Sequence, residues 1–292
     1  MNHFTIKDIE NLSGIKAHTL RIWEQRYQLF IPKRKESKHR YYDNEDLKHI
    51  LRISQLYHNG VKISKIAQLP ASSIRSMAME PYLGKQNADA YIHRLIEASI
   101  DFDEERFEEL FEQALKQFGL EVTIIDVMYA FLERIGLLWL TDHVIPAQEH
   151  FASNIIKRKI ISALDALKTK PSPSSGTYVL FTPEGEQHEI PLLLNHYLMK
   201  ASGKKCIYMG VDVPFDDIDI YVKLKNPKYL YFHAITHLYE QPMDDLLKQL
   251  KQKFSQQEII MSGPLTKEVT LDIQGVTLLR SMTEMLEFAK RC

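Results

Sequence analysis

Apolar residues recur along this chain with two different periods, and the change of period divides it. In the first sixty-odd residues the apolar positions come in short helical sets, Ile6, Ile9 and Leu12, then Leu20 and Trp23, separated by Ser13-Gly14-Ile15. Spacings of three and four residues mark one face of a helix. Thr5 followed three residues later by Asp8 has the form of a capping box, and Gly14 supplies a positive φ for a tight turn. Two helices joined by a short turn are therefore expected, the second running from about 16 to 27. Ile31 to Tyr42 is polar and basic with β-prone flanks and reads as a two-stranded wing. Another helix follows from Asp43 to Leu56, and a short one begins at Ser64.

From 76 to 168 glycine and proline are scarce and the helical period persists. Helices are expected at about 87–99, 103–118, 121–138 and 146–168. The third is strongly apolar, with Ile125, Met128, Phe131, Leu132, Ile135 and Leu138, and belongs inside an up-down four-helix bundle. Residues 168–176, KTKPSPSSG, have linker composition. From Thr177 onward short strand-like runs (177–182, 204–209, 229–234, 258–262, 276–280) alternate with helical ones (about 190–202, 214–224, 243–254, 282–291). That alternation predicts a flavodoxin-like, doubly wound parallel sheet. The expected fold is a multidomain α and α/β chain: a winged helix-turn-helix over 1–75, a helical bundle over 76–168, a linker over 169–176 and the sheet domain over 177–292.

Composition adds two points. At 292 residues, 45% hydrophobic and 26% charged, the chain is globular and large enough for two or three domains. No apolar run reaches the ~18 residues of a membrane span, the N-terminus lacks an apolar signal core, and Cys206 and Cys292 are the only cysteines. No membrane and a reducing cytoplasm are expected. Charge is uneven: residues 1–75 carry 14 Lys and Arg against 7 Asp and Glu, which leaves 23 basic and 31 acidic residues of the chain's 37 and 38 for the remainder. A basic head on an acidic body points to nucleic-acid contact through the head.

In a helix-turn-helix the second helix enters the major groove. Its polar residues here include Lys16, His18, Thr19, Arg21, Arg26 and Tyr27. Those near the start face base edges, and later ones hold phosphates. The wing would lay Arg34, His39, Arg40 and Tyr41 along the backbone of double-stranded operator DNA.

The stretch Thr182 to Pro191, TPEGEQHEIP, carries different chemistry. A strand, a glycine-bearing turn and a helix place it at the carboxyl end of a strand, where open α/β sheets bind ligands. Glu186 lies two residues before His188. A metal-bound His usually donates its second ring N–H to a carboxylate. The alternative is an ordinary solvated His, since one His makes no metal site. At the corner of the last two bundle helices, Trp139 is followed after nine residues by Glu149-His150, with Pro146 suited to a helix's first turn. These also read as a capping Trp and two solvated polar residues.

Phe4-Thr5-Ile6-Lys7-Asp8-Ile9, Gly14-Ile15, Thr19-Leu20-Arg21-Ile22-Trp23-Glu24, Tyr27, His39-Arg40-Tyr41-Tyr42 and Asp46-Leu47 together resemble the MerR family of winged helix-turn-helix regulators. The metal-sensing branch is set aside because no cysteine precedes Cys206. Trp139-x9-Glu149-His150 resembles the helical cap of cobalamin-binding transcriptional regulators, and Glu186-Gln187-His188-Glu189-Ile190-Pro191 resembles the Asp/Glu-x-His-x-x-Gly motif of cobalamin-binding folds. The register of that fold's Ser-x-Leu element falls on His233-Ala234-Ile235, and that of its Gly-Gly pair on Ser262-Gly263. Pro191, His233 and Ser262 depart from the pattern, and the bulk of His233 and the side chain of Ser262 narrow the tunnel for the cofactor's nucleotide base.

The resemblance implies a light- and cobalamin-responsive repressor rather than an enzyme. Adenosylcobalamin would sit between bundle and sheet. His188 would bind cobalt from below and displace the cofactor's own base, which inserts beside the sheet. Trp139 would cover the upper corrin face, while Glu149 and His150 line the adenosyl pocket. Ligand would assemble a homo-oligomer, a dimer or tetramer, and light would dissolve it. Some photoreceptor members carry a His beside the bundle Trp; here that position is Leu140, with His143 nearby. Two alternatives stand: a cobalamin-independent regulator with a degenerate sensor controlled by a protein partner, and a cobalamin-dependent methyl carrier, against which the DNA-reading head argues.

Overall fold

The computed structural model describes residues 3–34, 40–79, 88–140, 146–172, 176–236 and 241–291. The chain forms two compact units, Met1–Ile155 and Ile156–Cys292. They are coarser than the three expected domains, because the head and most of the bundle cohere as one.

The head begins with α1 (Ile6–Ser13) and α2 (Ala17–Tyr27). The Thr5 hydroxyl accepts the Asp8 amide at 3.3 Å while the Asp8 carboxylate accepts the Thr5 amide at 2.6 Å, so the capping box closes in both directions. Gly14 ends the helix at φ 70°, the left-handed position that favours glycine. The wing consists of β1 (Lys33–Arg34) and β2 (Arg40–Tyr41), antiparallel, with Arg34 opposite Arg40. Phe4 bridges to Tyr42 through hydrogen bonds of 2.7 and 2.9 Å, which sews the chain's start to the wing. A second capping box, Asp43 with Asp46, starts α3 (Asn44–His58). The short α4 (Ile63–Ile66) and the unanticipated α5 (Ala71–Met79) complete the head. Its core is Phe4, Ile9, Leu12, Leu20, Trp23, Leu47, Ile50 and Leu51.

The bundle comprises α6 (Ala88–Asp101), α7 (Glu104–Val122), a π-helical turn (Thr123–Met128), α8 (Tyr129–Leu140) and α9 (Pro146–Ala166). The expected gap between its second and third helices is a kink at Gly119, whose φ of 77° interrupts helix that is otherwise continuous. Ion pairs tie the head to α6. Lys48 meets Asp101 at 2.9 Å, and Arg52 meets Glu97 at 2.7 Å. Arg134 on α8 pairs with Asp89 at 2.6 Å and donates to the Leu12 carbonyl at 3.4 Å.

The second unit is a five-stranded parallel sheet of β3 (Thr177–Pro183), β4 (Lys205–Val213), β5 (Tyr229–His233), β6 (Glu258–Ser262) and β7 (Val276–Leu279), in the order β4-β3-β5-β6-β7. The crossovers are α10 (Glu189–Ala201), α11 (Phe215–Lys225), α12 (Met243–Lys253) and a 3-10 turn (Pro264–Glu268), and α13 (Met282–Lys290) follows the last strand. Strict alternation sorts the side chains. Val179, Phe181, Leu230, Phe232, Ile259 and Met261 pack with Ile218, Leu246 and Leu250 of α11 and α12. On the opposite face Tyr178 stacks on Tyr229 at 4.1 Å between ring centroids, and both Tyr178 and Tyr231 lie 6.2 Å from Phe288 of α13. Strand order reverses at β3, which places the switch point of the sheet between the carboxyl ends of β3 and β5.

Candidate functional site

The loop after β3 is built as a rigid platform. Glu186 N–H closes a turn on the Pro183 carbonyl at 2.9 Å, with Gly185 at φ 84°. The Thr182 hydroxyl donates to the Glu186 carbonyl at 2.6 Å and accepts the Asp212 amide at 3.0 Å, and Asp212 in turn accepts the Gly185 amide at 2.6 Å. The Glu186 side chain is wholly buried. One of its oxygens accepts the His188 amide at 3.1 Å and the His188 Nδ1–H at 2.5 Å; the other accepts the Ile235 and Thr236 amides, each at 2.8 Å. One carboxylate thus fastens the β3 loop to the β5 loop across the switch point.

Burial by itself raises the Glu186 carboxyl, but the His188 imidazole and the three backbone N–H donors outweigh it and bring the group down to about 2. Glu186 is therefore an anion that holds the proton of His188 on Nδ1. The imidazole is 56% exposed and is oriented by the carboxylate. Among the described residues no group of three or more His, Cys, Asp or Glu side chains could hold a bare metal ion. Burial pushes the Cys206 thiol up to about 12, so it is held protonated.

His233 and Ser262 are bonded to each other at the ends of β5 and β6, with Gly263 next in the chain. His233 Nδ1 and the Tyr231 hydroxyl each lie 2.8 Å from Ser262 Oγ. All three side chains are buried, and burial lowers His233 to about 4, so it is neutral. Gly263 sits at φ 102°, and a Cβ there would come within 2.3 Å of the Ala234 carbonyl oxygen. The close approach that requires this glycine is made by the protein's own backbone.

Glu149 and His150 lie in the first turn of α9. Their side chains meet at 2.8 Å, and His150 is 71% exposed. Trp139 and Leu140 end α8, but their side chains and residue His143 lie outside the described residues.

In the head, Lys16, His18, Arg21 and Arg26 are exposed on or beside α2. Lys16 pairs with Glu10 at 3.1 Å, Thr19 Oγ1 lies 3.3 Å from His18 Nε2, and the Arg26 guanidinium is 5.4 Å from the centre of the Tyr27 ring. Ile22, 50% exposed beside Arg21, was not singled out from the sequence; an exposed aliphatic on this helix is the natural partner of a thymine methyl. On the wing Arg40 is held 3.6 Å from Glu24 and Tyr41 packs edge-on against His3. His39 and the side chain of Arg34 lie outside the described residues. The sequence reading also missed Thr182, Asp212, Tyr231 and Thr236. Thr182 and Asp212 lie in the segments flanking the two platform turns, but nothing short of the three-dimensional pairing links them.

A MerR-type helix-turn-helix is joined in this chain to a B12-binding domain. Residues 4–72 match the family model of the MerR HTH family regulatory protein, and residues 91–163 match that of the B12 binding domain. The chain is similar to the HTH-type transcriptional repressor CarH of Myxococcus xanthus, 22% identical over 255 residues that cover 85% of this chain and 84% of the relative. It is similar also to the repressor CarA of the same organism, 25% identical over 211 residues covering 72% and 68%. In fold it is similar to the monomethylamine corrinoid protein of Methanosarcina barkeri, with a TM-score of 0.50 at 17% identity, covering 67% of this chain and 95% of that one. Both of these curated relatives are named as transcriptional repressors. Among the described residues no helix is long and apolar enough to cross a membrane.

Proposed function

We propose that the chain is a transcriptional repressor whose grip on operator DNA and whose homo-oligomeric state, dimer or tetramer, are set by adenosylcobalamin and its illumination. The observation that carries this reading is the Glu186–His188 pair: a buried carboxylate fixes the tautomer and orientation of a half-exposed imidazole at the switch point of the sheet. When bound, the cofactor supplies a photolabile cobalt–carbon bond. His188 would hold the cobalt, and Glu186 would orient the imidazole and raise its basicity. Trp139, Glu149 and His150 are the residues proposed to enclose the adenosyl group.

DNA contact is assigned to Lys16, His18, Thr19, Arg21, Arg26 and Tyr27 on or beside α2 and to Arg34, His39, Arg40 and Tyr41 of the wing. Cofactor shifts the operator equilibrium only by its differential affinity for the assembled and separated forms. The test is an absorption titration of the whole chain with adenosylcobalamin in the dark, then in light, with His188→Ala alongside. Saturable binding with an axial-nitrogen spectrum, lost in the variant, supports the reading. A variant with unaltered affinity and spectrum removes His188 from the site. A lasting spectral change on illumination assigns light control, and its absence leaves a dark cobalamin sensor in which Leu140 replaces the family's His.

A second reading is a regulator that ignores cobalamin and answers to a protein partner. The filled ends of β5 and β6, where His233 and Tyr231 close on Ser262, favour it. Its signature is operator affinity unchanged by saturating adenosylcobalamin.

A further inference from the structure

The sheet face that meets α10 and α13 is filled by the protein's own side chains toward the carboxyl ends of β5 and β6. Tyr231 and His233 alternate along β5 and project from this face, each 2.8 Å from Ser262 Oγ on the neighbouring β6. Tyr231 stacks against Phe288 of α13 at 6.2 Å between ring centroids, and it is flanked on α10 by Asn195, which is fully buried and donates to the Pro191 carbonyl at 3.1 Å. His233 lies two residues before Ile235, whose amide is held by the same Glu186 that orients His188. Behind them Gly263 is pressed onto the Ala234 carbonyl, so backbone seals the gap between the two strand ends. A planar aromatic base cannot enter without expelling a buried hydrogen-bonded triad, and a core packed to crystal density yields such space only at a cost of several bonds.

Resting on the cobalamin reading above, we infer that this unit takes its corrinoid by the ring and the axial nitrogen alone, with the nucleotide tail outside the protein, so that its ligand class includes corrinoids that lack the tail. His188 is exposed and oriented whatever becomes of the tail, while His233, Tyr231 and Ser262 act as a plug that sets specificity. Without a buried base, the tail adds no contacts and its loss removes none.

The test compares dark equilibrium binding of adenosylcobalamin and adenosylcobinamide, which has no nucleotide, to the whole chain. Affinities within about threefold of each other are expected. Proton NMR of the bound cobalamin should show the benzimidazole signals sharp and near their free positions. Cobalamin bound more than about tenfold tighter than cobinamide, with those signals broadened or shifted, would overturn the inference. The double variant His233→Ser with Ser262→Gly removes the plug, and in it the preference should move toward cobalamin by about tenfold. An unmoved ratio in a folded variant also counts against the plug. If wild type binds neither corrinoid, the cobalamin reading fails; cobalamin binding gained by the double variant would then still establish the plug, and no gain would discard both.

Discussion

The two chemically equipped surfaces of this chain are built in opposite ways. On α2 the side chains proposed to face DNA depend on short-range structure: a capping box, one glycine turn and a buried Leu20–Trp23 stripe. At the sheet the orientation of the His188 imidazole depends on the buried Glu186 carboxylate, whose other oxygen is tied to amides 49 and 50 residues away. The head can lose a functional side chain and keep its fold, whereas the sensor loop cannot lose its carboxylate without losing the platform. A surface that reads many DNA sites gains from independent contacts; a site that must present one lone pair needs a fixed frame.

Substitutions separate the two designs. Glu186→Ala strips a buried carboxylate from four donors, and the sheet unit should lose about 4 kcal/mol in urea unfolding. A midpoint equal to wild type would mean that the carboxylate does not hold the loops together. Acid acts next. Burial lowers His233 and His196 from an ordinary 6.5 to about 4, so both are neutral in the fold and bind protons more readily once unfolded. Their contribution is whole above pH 6.5 and is lost as pH falls from 6.5 toward 4, by about 3 kcal/mol for His233. His233→Gln should flatten that limb of the sheet unit's stability–pH curve; an unchanged limb would place the sensitivity elsewhere. His93, buried in the first unit and lowered to about 4, gives that unit the same sign and is a built-in comparison.

In the first unit Arg52→Ala leaves the largely buried Glu97 without its partner at 2.7 Å and should cost about 2 kcal/mol. No loss would show that the tie between head and α6 is carried by apolar packing alone. The smallest stability effect belongs to the reading surface. Arg21→Ala should weaken binding to a duplex selected from random sequence by about 1 kcal/mol at matched salt, with unfolding unchanged. A large loss of stability there would erase the contrast between the two surfaces.

Much of this was legible because the deciding forces are local. Thr5 with Asp8, Gly14 and the apolar stripe of α1 and α2 sit within a few residues of one another, so the helix-turn-helix could be read directly. Alternating apolar runs likewise located all five strands of the sheet, and the Glu186–His188 spacing was visible within one loop. What escaped depends on distance along the chain. Tyr231 meets Ser262 across 31 residues, and Glu186 meets Thr236 across 50. Helix α5 was missed because its polar sequence, ASSIRSMAM, shows little periodicity and is stabilised by packing on α3. The division into two units was hidden too, since the charges that join head to bundle, Lys48–Asp101 and Arg52–Glu97, look in sequence like solvated helix faces.

The most direct test measures affinity of the whole chain for that selected duplex with no corrinoid, with saturating adenosylcobalamin in the dark, and after illumination, in wild type and His188→Ala. The account predicts that cofactor in the dark changes wild-type affinity by about tenfold or more and leaves the variant unmoved. Equal affinity in all wild-type conditions would contradict it, and would leave a DNA-binding regulator whose sheet unit answers to something other than a corrinoid.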